Sequence, residues 1–356
     1  RGGSRGLVVA VGAAARTAGL RVGMPAAKAQ ALVPGLIVRE ADPVADDTAR
    51  ERLALWVLQR FAPIVATDSP NGIVVDTTGA DHLHGGEAAM LEALIGRLVM
   101  SGVSARAAIA DSWGAAHALA RYAASPTFIA SPGHDASVLS PLPLEALRLS
   151  PAMAADLRVL GFETVGDLLA QPRAPLTLRF GPELGRRIDQ AVGSLSEPID
   201  PVRSPELIEA RRTFAEPIGA AETIARYIGK LTDMLCGMLE AKGMGARRLD
   251  LLCHRVDNRV AAVRIGTAQP VRDAKRLTRL LCDKIETIDP GFGIEIMTLT
   301  AAVAEPFGRK QSVSSLVEAT VPDISDLVDT LANRVGERAI YRAAPVASDV
   351  PERSVS

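Results

Sequence analysis

Two short runs of β-branched residues around a four-residue turn are the feature that most restricts how this chain can fold. The runs are Ile64–Thr67 and Ile73–Thr78, and Ser69-Pro70-Asn71-Gly72 lies between them. β-branched residues favour strands, whereas proline, asparagine and glycine favour tight turns. The pattern predicts a β-hairpin in which Asn71 and Gly72 accept a positive φ angle.

The residues around this hairpin resemble the palm of Y-family translesion DNA polymerases. That family carries Ser-Ile-Asp-Glu, three further residues and Asp-x-Thr-Gly; Ser69 matches the first residue and Asp76-Thr77-Thr78-Gly79 matches the end. Asn71 and Gly72 then stand where the family keeps its two metal-binding carboxylates. Polymerases clamp two Mg²⁺ ions with carboxylates, which an amide and a glycine replace poorly. The resemblance implies a polymerase scaffold without catalytic residues, metal or other cofactor.

Two further stretches resemble nucleotide-binding parts of the family but lack key side chains. The fingers pattern Tyr-x-x-Arg, followed by a Gly-Met-Pro, is matched at Arg16 and Gly23-Met24-Pro25, with Ala13 at the Tyr. Trp113 stands where active members place a Lys, and it suits core packing better than a surface contact. In active members the Tyr, Arg and Lys contact the incoming triphosphate. Arg16 is therefore a nucleotide-binding remnant, or equally a solvated helix charge.

Glycines between short helices predict contact with the DNA backbone. The segment Leu157–Leu169 resembles a helix-hairpin-helix element with Gly161 at its turn, and a second one contains Gly181 and Gly185. Glycine lets the backbone approach a phosphate, and the next helix offers free N–H groups to it. Two such elements in tandem favour sequence-independent DNA binding over two ordinary helix turns.

The following block alternates strands and helices in the order of a split β-α-β unit. This order is similar to the little-finger domain of Y-family members. Between Lys242 and Lys284 the chain has eleven basic and four acidic side chains, although its formal net charge is −1. A local basic block is the footprint expected for phosphate contact, while a solvated helix face is the alternative for Arg272–Arg279. The residues predicted to bind DNA, at strand edges, are Arg211, Arg212, Arg247 and Arg248.

The order of elements predicts an α+β fold, and the resemblance implies the architecture of a Y-family polymerase. A strand is expected at Leu7–Val11, and the palm is expected to form one mixed sheet with helices on one face. The domains implied by the resemblance are fingers with the first palm strand (1–37, without the family's N-terminus), palm (38–124), helix-hairpin-helix thumb (125–198), little finger (199–307) and a partner-binding tail (308–356).

The tail is expected to bind partners and to contribute little to stability. Gln311 and Leu316 weakly resemble a sliding-clamp-binding peptide, but the aromatic residue of that motif is absent, so a linker is the better interpretation. The similarity to non-catalytic members of the family implies three partners besides damaged primer–template DNA. They are the clamp, a RecA-like accessory subunit and an error-prone replicative-type polymerase.

Composition excludes some locations and leaves three functions open. No apolar run approaches a membrane span, no signal peptide is present, and the three cysteines lack metal-ligand spacing, which favours a reduced cytoplasmic protein. The first function is an inactive DNA-binding adaptor in SOS translesion synthesis and damage-induced mutagenesis. The second is an active, Mg²⁺-dependent polymerase in which Asp68 and Asp76 face each other across the hairpin. The third is a helix-hairpin-helix protein without replication partners.

Overall fold

The computed structural model describes residues 6–203, 207–307, 324–336 and 339–341. Their contacts divide the chain into one compact unit of residues 1–50 and another of residues 51–356. In the first unit, α1 spans Ala13–Thr17 and α2 spans Ala26–Leu32. The strand expected at Leu7–Val11 is wrong, because a single bridge joins Leu7 to Pro25. Proline has no N–H group with which to continue a ladder.

The hairpin is confirmed: β1 (Ile64–Asp68) pairs antiparallel with β2 (Gly72–Asp76). It packs against helix α3 (Pro43–Arg60), whose buried face includes Val57, and against α4 (Glu87–Met100).

The palm does not form one sheet in the described residues. Strands β3 (Ala107–Ile109) and β4 (Thr127–Ile129) make a separate parallel pair, with helix α5 (Trp113–Tyr122) between them. Strands of three residues offer few backbone groups for further pairing.

Short helices follow and pack around a core that includes Leu119 of α5. They are α6 (Asp135–Leu139), α7 (Pro151–Val159), α8 (Val165–Leu169), α9 (Arg173–Phe180) and α10 (Pro182–Ala191). The two predicted hairpin turns lie between α7 and α8 and between α9 and α10.

The split β-α-β prediction is confirmed by a four-stranded antiparallel sheet with strand order β5-β8-β6-β7. Helices α11 and α12 cover the face that carries Leu249, Leu251 and Leu299. The elements are β5 (Ile208–Ile218), α11 (Ala221–Ala241), β6 (Met244–Arg255), β7 (Val260–Val271), α12 (Ala274–Cys282) and β8 (Ile294–Pro306). The α+β class is therefore confirmed.

Helix α13 (Ser325–Val335) returns to the outer edge of β7 and also contacts α12 and the 3₁₀ turn Asp81–His84. This part of the tail was expected to contribute little to stability, yet it buries Asp329 and Asn333. Both side chains bond to the β7 backbone, so this helix is part of the folded unit. None of the described helices has the length and apolar character needed to cross a membrane.

Candidate functional site

Helix α5 brings two cationic or polar side chains to the turn of the hairpin. Ser112 caps the start of the helix by accepting a first-turn backbone N–H at 3.0 Å. His117 and Arg121 are four residues apart and therefore share one helix face. His117 Nδ1 donates to Asp68 Oδ2 at 2.8 Å, and Arg121 Nη2 lies 3.4 Å from the same oxygen. Arg121 Nη2 also donates to Asn71 Oδ1 at 3.1 Å.

The carboxyl group of Asp68 is held ionised by these neighbours. Its side chain is largely buried, and burial alone would raise its pKa. The hydrogen bond and charge of His117, together with the charges of Arg121 and Arg148, hold the pKa below its ordinary value. The negative charge at this turn is thus neutralised by the protein itself.

Gly72 is favoured here by tight packing and not by an unusual φ angle. Neither Asn71 nor Gly72 has a positive φ, so that expectation was wrong; the turn instead contains a cis peptide bond before Pro70. A Cβ atom at position 72 would lie 3.1 Å from Arg121 Nη2 and 3.2 Å from Asp68 Oδ2. The guanidinium group therefore occupies the space into which a carboxylate side chain at position 72 would extend.

Asp68 and Asp76 cannot act as a pair. The register places Asp68 opposite Gly72 and Asp76 opposite Ile64, at the two ends of the hairpin. Four residues along a strand separate positions by about 13 Å, whereas ions in a two-metal centre are only about 4 Å apart. Asp76 Oδ1 accepts the backbone N–H of Thr78 at 3.0 Å, which is a turn-stabilising role. The expectation that the two carboxylates face each other is wrong.

The donors at the hairpin do not fit the Mg²⁺ pair of a polymerase. Asn71 offers one amide oxygen, which Arg121 already uses, and Gly72 offers no side chain. A fixed guanidinium at Asp68 repels a second cation at the same place. Within the described ranges, no three His, Cys, Asp or Glu side chains are grouped so that they could hold a metal ion.

Trp113 is the first residue of α5 and is half-buried. Arg148 lies over its ring, with the guanidinium carbon 5.2 Å from the ring centroid, and forms a bidentate ion pair with Glu197. The indole Nε1 is buried without a hydrogen-bond partner in the described part of the chain. Trp113 therefore serves as a packing residue at the position where the family pattern has a lysine.

The two hairpin glycines adopt the conformation that such turns need. Gly161 has a φ of 88° and Gly181 a φ of 79°, and no atom would obstruct a Cβ at either position. The helix after Gly161, however, starts with a capping box in which Asp167 accepts the Glu163 and Thr164 amide hydrogens. Those bonds lower the pKa of Asp167. A carboxylate at this helix start disfavours a phosphate there, and the helix after Gly181 likewise carries an acidic residue, Glu183, in its first turn.

Gly185 is not a turn residue. It lies inside α10, and a Cβ there would make an ordinary 3.6 Å contact with Thr177 Oγ1. Its amide belongs to the helix, so the expectation that this glycine lets the backbone approach DNA has no support in the geometry.

Arg211 and Arg212 are exposed on β5, which is an edge strand of the sheet. Neither makes an ion pair with any acidic residue in the described ranges, so both charges are available to a ligand. Burial and then the charges of Arg211 and Arg203 lower the pKa of His254 on β6, which indicates a positive potential around this part of the sheet.

Arg247 and Arg248 do not lie at a strand edge, because β6 is an inner strand between β8 and β7. Arg248 Nη1 donates to the carbonyl oxygens of Gln59 and Arg60 at 3.2 and 3.0 Å, where α3 ends. Arg247 donates to the carbonyl of Thr267 and lies 3.4 Å from a carboxylate oxygen of Glu305. A cation at a helix C-terminus is stabilising, so Arg248 serves the fold.

Of the three remaining predicted site residues, one lies in the described part of the chain. Arg16 is exposed on α1 in the first unit. Gln311 and Leu316 lie outside the described residues.

Sequence reasoning missed His117, Arg121 and Arg264. The first two have a detectable signal, since their i,i+4 spacing lies on a predicted helix and follows a hairpin with an acidic residue. Arg264 was counted as part of the basic block, yet it is fully buried and bonds to both carboxylate oxygens of Asp250 at 2.6 Å. Sequence alone does not show this ion pair, because it exists only when Asp250 of β6 lies opposite Arg264 of β7, and that register is set by the folded sheet.

Comparison with known proteins gives consistent matches along the chain. Residues 1–121 match the impB/mucB/samB family, and residues 206–312 match the C-terminal domain of that family. Protein ImuB of Caulobacter vibrioides is 46% identical over 339 residues, which are 95% of this chain and 74% of that protein. DNA polymerase IV of Halorhodospira halophila is 27% identical over 320 residues, 87% of this chain and 88% of that protein. A solved Dbh ternary complex is 16% identical, with a TM-score of 0.46, over 83% of this chain and 89% of that one.

Proposed function

Since this chain belongs to the impB/mucB/samB family of Y-family DNA polymerases, we propose that it is a catalytically inactive member that binds damaged primer–template DNA. It acts as an adaptor in SOS translesion synthesis and damage-induced mutagenesis. Its similarity to Protein ImuB supports the assignment, and the protein needs no metal or other cofactor for this role.

The arrangement at the hairpin turn carries this proposal. Phosphoryl transfer depends on metal ions and cationic groups that stabilise charge on the transferring phosphoryl group. Here Arg121 and His117 are bound to Asp68, and Asn71 and Gly72 replace the carboxylates. Within the described residues, the site therefore offers one carboxylate that is already paired with two neighbouring side chains, which is too few ligands for a two-ion centre.

DNA binding rests on the exposed charges of the sheet. Arg211 and Arg212 offer two free guanidinium groups on the β5 edge, and Gly181 offers a second place where the backbone can come close to a phosphate. Phosphate contacts of this kind bind DNA with little dependence on sequence.

The proposed partners are a sliding clamp, a RecA-like accessory subunit and an error-prone replicative-type polymerase. The similarity to Protein ImuB supports them, and Gln311 with Leu316 is the candidate clamp contact.

Primer extension combined with a binding measurement tests the proposal. The unmodified chain is mixed with a labelled primer–template, all four deoxynucleotides and either Mg²⁺ or Mn²⁺, and anisotropy of the same DNA confirms binding. We expect binding without extension. Extension above a protein-free control, abolished by a chelator, would establish the active polymerase instead.

A double substitution sharpens this test. Asn71→Asp with Gly72→Glu restores the family's carboxylates, but Glu at position 72 would meet Arg121 and Asp68. We expect no extension from this variant and a less stable hairpin, because the existing bonds must break to make room.

A further inference from the structure

A small cavity between two helices and the four-stranded sheet is lined by side chains of one charge. It lies where α3 ends, between α4 and β6, and its volume is about 80 Å³. Its polar lining consists of Arg60, His84, Arg97 and Arg248. The other lining residues are apolar, so among the described residues no carboxylate borders the cavity. We refer to it as the arginine pocket.

Aromatic rings hold the basic side chains of the two helices at the pocket wall. Phe61 is 1% exposed, and the imidazole of His84 stacks on its ring with the centroids 5.2 Å apart. Arg97 Cζ lies 5.8 Å from the centroid of the same ring. Arg60 Cζ lies 5.3 Å from the ring centroid of Trp56. These contacts orient the guanidinium groups without neutralising their charge.

The third guanidinium group of the pocket comes from the sheet. Arg248 Nη1 donates to the carbonyl oxygens of Gln59 and Arg60 at 3.2 and 3.0 Å. These bonds anchor the side chain at the C-terminal end of α3, where the helix carries only a partial negative charge. The pocket therefore holds three full positive charges and a weak internal counter-charge.

Other arginines of this protein are neutralised internally. Buried or partly buried guanidinium groups pair with carboxylates in Arg148–Glu197, Arg264–Asp250 and Arg276–Asp329. Within the described ranges, the side chains of Arg60 and Arg97 contact aromatic rings, and neither lies within ion-pair distance of an acidic side chain. Because like charges held close together repel one another, an anion from outside the chain would stabilise this arrangement.

The dimensions of the pocket select a small anion. A volume of about 80 Å³ holds a few water molecules or one tetrahedral oxyanion, whereas organic ligands occupy pockets of roughly 300 Å³ or more. Planar guanidinium groups match a phosphate group well, because each can present two parallel N–H donors to its oxygens. Arg97 is exposed, so the pocket opens to solvent on the side of α4.

We propose that the arginine pocket binds one phosphate group between Arg60, Arg97 and Arg248. The group is inorganic phosphate or the terminal phosphate of a nucleic-acid strand, since a cavity of this size takes one phosphate and not a continuous backbone. The bound group contacts α3, α4 and β6 at once and stabilises the folded protein by mass action. This site is separate from the β5 arginines and does not depend on the proposed adaptor function.

Calorimetric titration of the full chain with inorganic phosphate tests the site. A chloride buffer at constant ionic strength removes the general effect of salt on charge interactions. We expect one phosphate to bind per chain. We also expect the melting temperature to rise with phosphate more than with chloride at the same ionic strength, because a ligand that binds only the folded state raises its stability.

Substitution of the two helix arginines tests where the phosphate binds. Arg97→Gln and Arg60→Gln should each weaken phosphate affinity at least about tenfold, because each removes charge-assisted hydrogen bonds. The matched control is Arg52→Gln, which removes an exposed charge from α3 outside the pocket and should leave the affinity unchanged. Circular dichroism checks folding, and if Arg60→Gln is unfolded, the exposed Arg97 decides the comparison.

Two short DNA strands that differ only in a 5′-phosphate distinguish the sources of the group. Tighter binding of the phosphorylated strand, abolished by inorganic phosphate and by Arg97→Gln, assigns the pocket to a strand end. Equal binding of the two strands, together with phosphate binding in the calorimeter, assigns it to the free ion.

Two results would overturn the proposal. The first is no binding of phosphate at concentrations up to about 10 mM together with equal binding of the two strands. The second is an unchanged phosphate affinity in folded Arg97→Gln, or an equal loss of affinity in Arg52→Gln, because either would place the ion outside the arginine pocket.

Discussion

The palm hairpin and the β5 edge of the sheet use positive charge in opposite ways. At the hairpin, Arg121 is bound to Asp68 and Asn71, so its charge serves to hold helix and turn together. On β5, Arg211 and Arg212 are exposed and have no acidic partner in the described ranges. The difference shows that the number of basic residues in a region does not locate a ligand site. A ligand site is better located by asking whether a carboxylate lies close enough to each basic residue to pair with it.

Substitution of Arg264 should have the largest effect on stability. Its positive charge is fully buried and is used only within the protein, unlike the exposed charges on β5. Arg264→Met leaves Asp250 buried without its cation, and we expect a loss of about 3–5 kcal/mol in the free energy of unfolding. Urea denaturation of both proteins measures it. Arg259→Met is the matched control on the same strand region; its side chain is mostly exposed, so the change should stay within about 0.5 kcal/mol. Equal effects of the two substitutions would contradict the comparison.

Asn333→Ala tests the outer edge of β7, which the side chains of α13 cover in the same sheet. It leaves the Gly266 N–H and carbonyl groups without partners, and we expect a loss of about 1–3 kcal/mol. Thermal and urea unfolding at low protein concentration measure the loss. Arg334→Ala, on the same helix but facing solvent, is the control. An unchanged stability in Asn333→Ala would show that α13 is not needed to close β7.

The pH dependence of stability tests the hairpin. The folded pKa of Asp68 is below its ordinary value of 3.8, so its ionised form stabilises the folded protein above about that pH. This contribution is lost as the pH falls through the folded pKa. Unfolding free energies of the protein and of Asp68→Asn should differ at pH 7 and converge toward pH 2. If the two unfolding free energies differed by the same amount at pH 7 and at pH 2, the charge of Asp68 would not be what holds Arg121 and His117.

The β5 arginines should have the smallest effect on stability and a clear effect on DNA binding. Arg211→Ala with Arg212→Ala should change the unfolding free energy by less than about 0.5 kcal/mol. The slope of log K against log salt concentration should fall by up to about two units. Arg226→Ala with Lys230→Ala removes the same charge from helix α11 and serves as the control. A control slope that falls equally would show that DNA does not use the β5 side.

Much of the fold could be predicted from the sequence because it follows local patterns. The β-branched runs gave the hairpin, and the alternation of strands and helices gave the four-stranded sheet. The turn geometry and the palm sheet could not be obtained in this way. Pro70 takes a cis bond that no local rule requires, and strands β3 and β4 are too short to show a periodic pattern.

The candidate site could be predicted from the sequence only at the positions where an expected carboxylate is replaced. Asn71 and Gly72 stand out against the family pattern, whereas the bonds of Asp68 to His117 and Arg121 join residues about 50 positions apart. Arg248 was predicted to bind DNA and Arg264 was counted in the basic block, because sequence gives their charge but not their partners. Burial of Asp329 and Asn333 on α13 opposes the usual rule that apolar residues face inward, so that rule alone would place the wrong face of this helix against the protein.

The contact of Arg264 with α3 has a consequence for the order of folding. Arg264 Nη2 donates to the carbonyl of Leu58 at 2.5 Å across 206 residues of chain, and its own N–H donates to the carbonyl of Gly79 at 3.0 Å. A Cβ at position 79 would lie 1.9 Å from the Ala262 carbonyl oxygen, so the two backbones touch directly. Contacts this distant in sequence carry a large loop-closure entropy and form slowly. We expect the helices of residues 113–191 to fold first and the sheet to join α3 last, so Gly79→Ala should slow the final folding phase while leaving the early one unchanged.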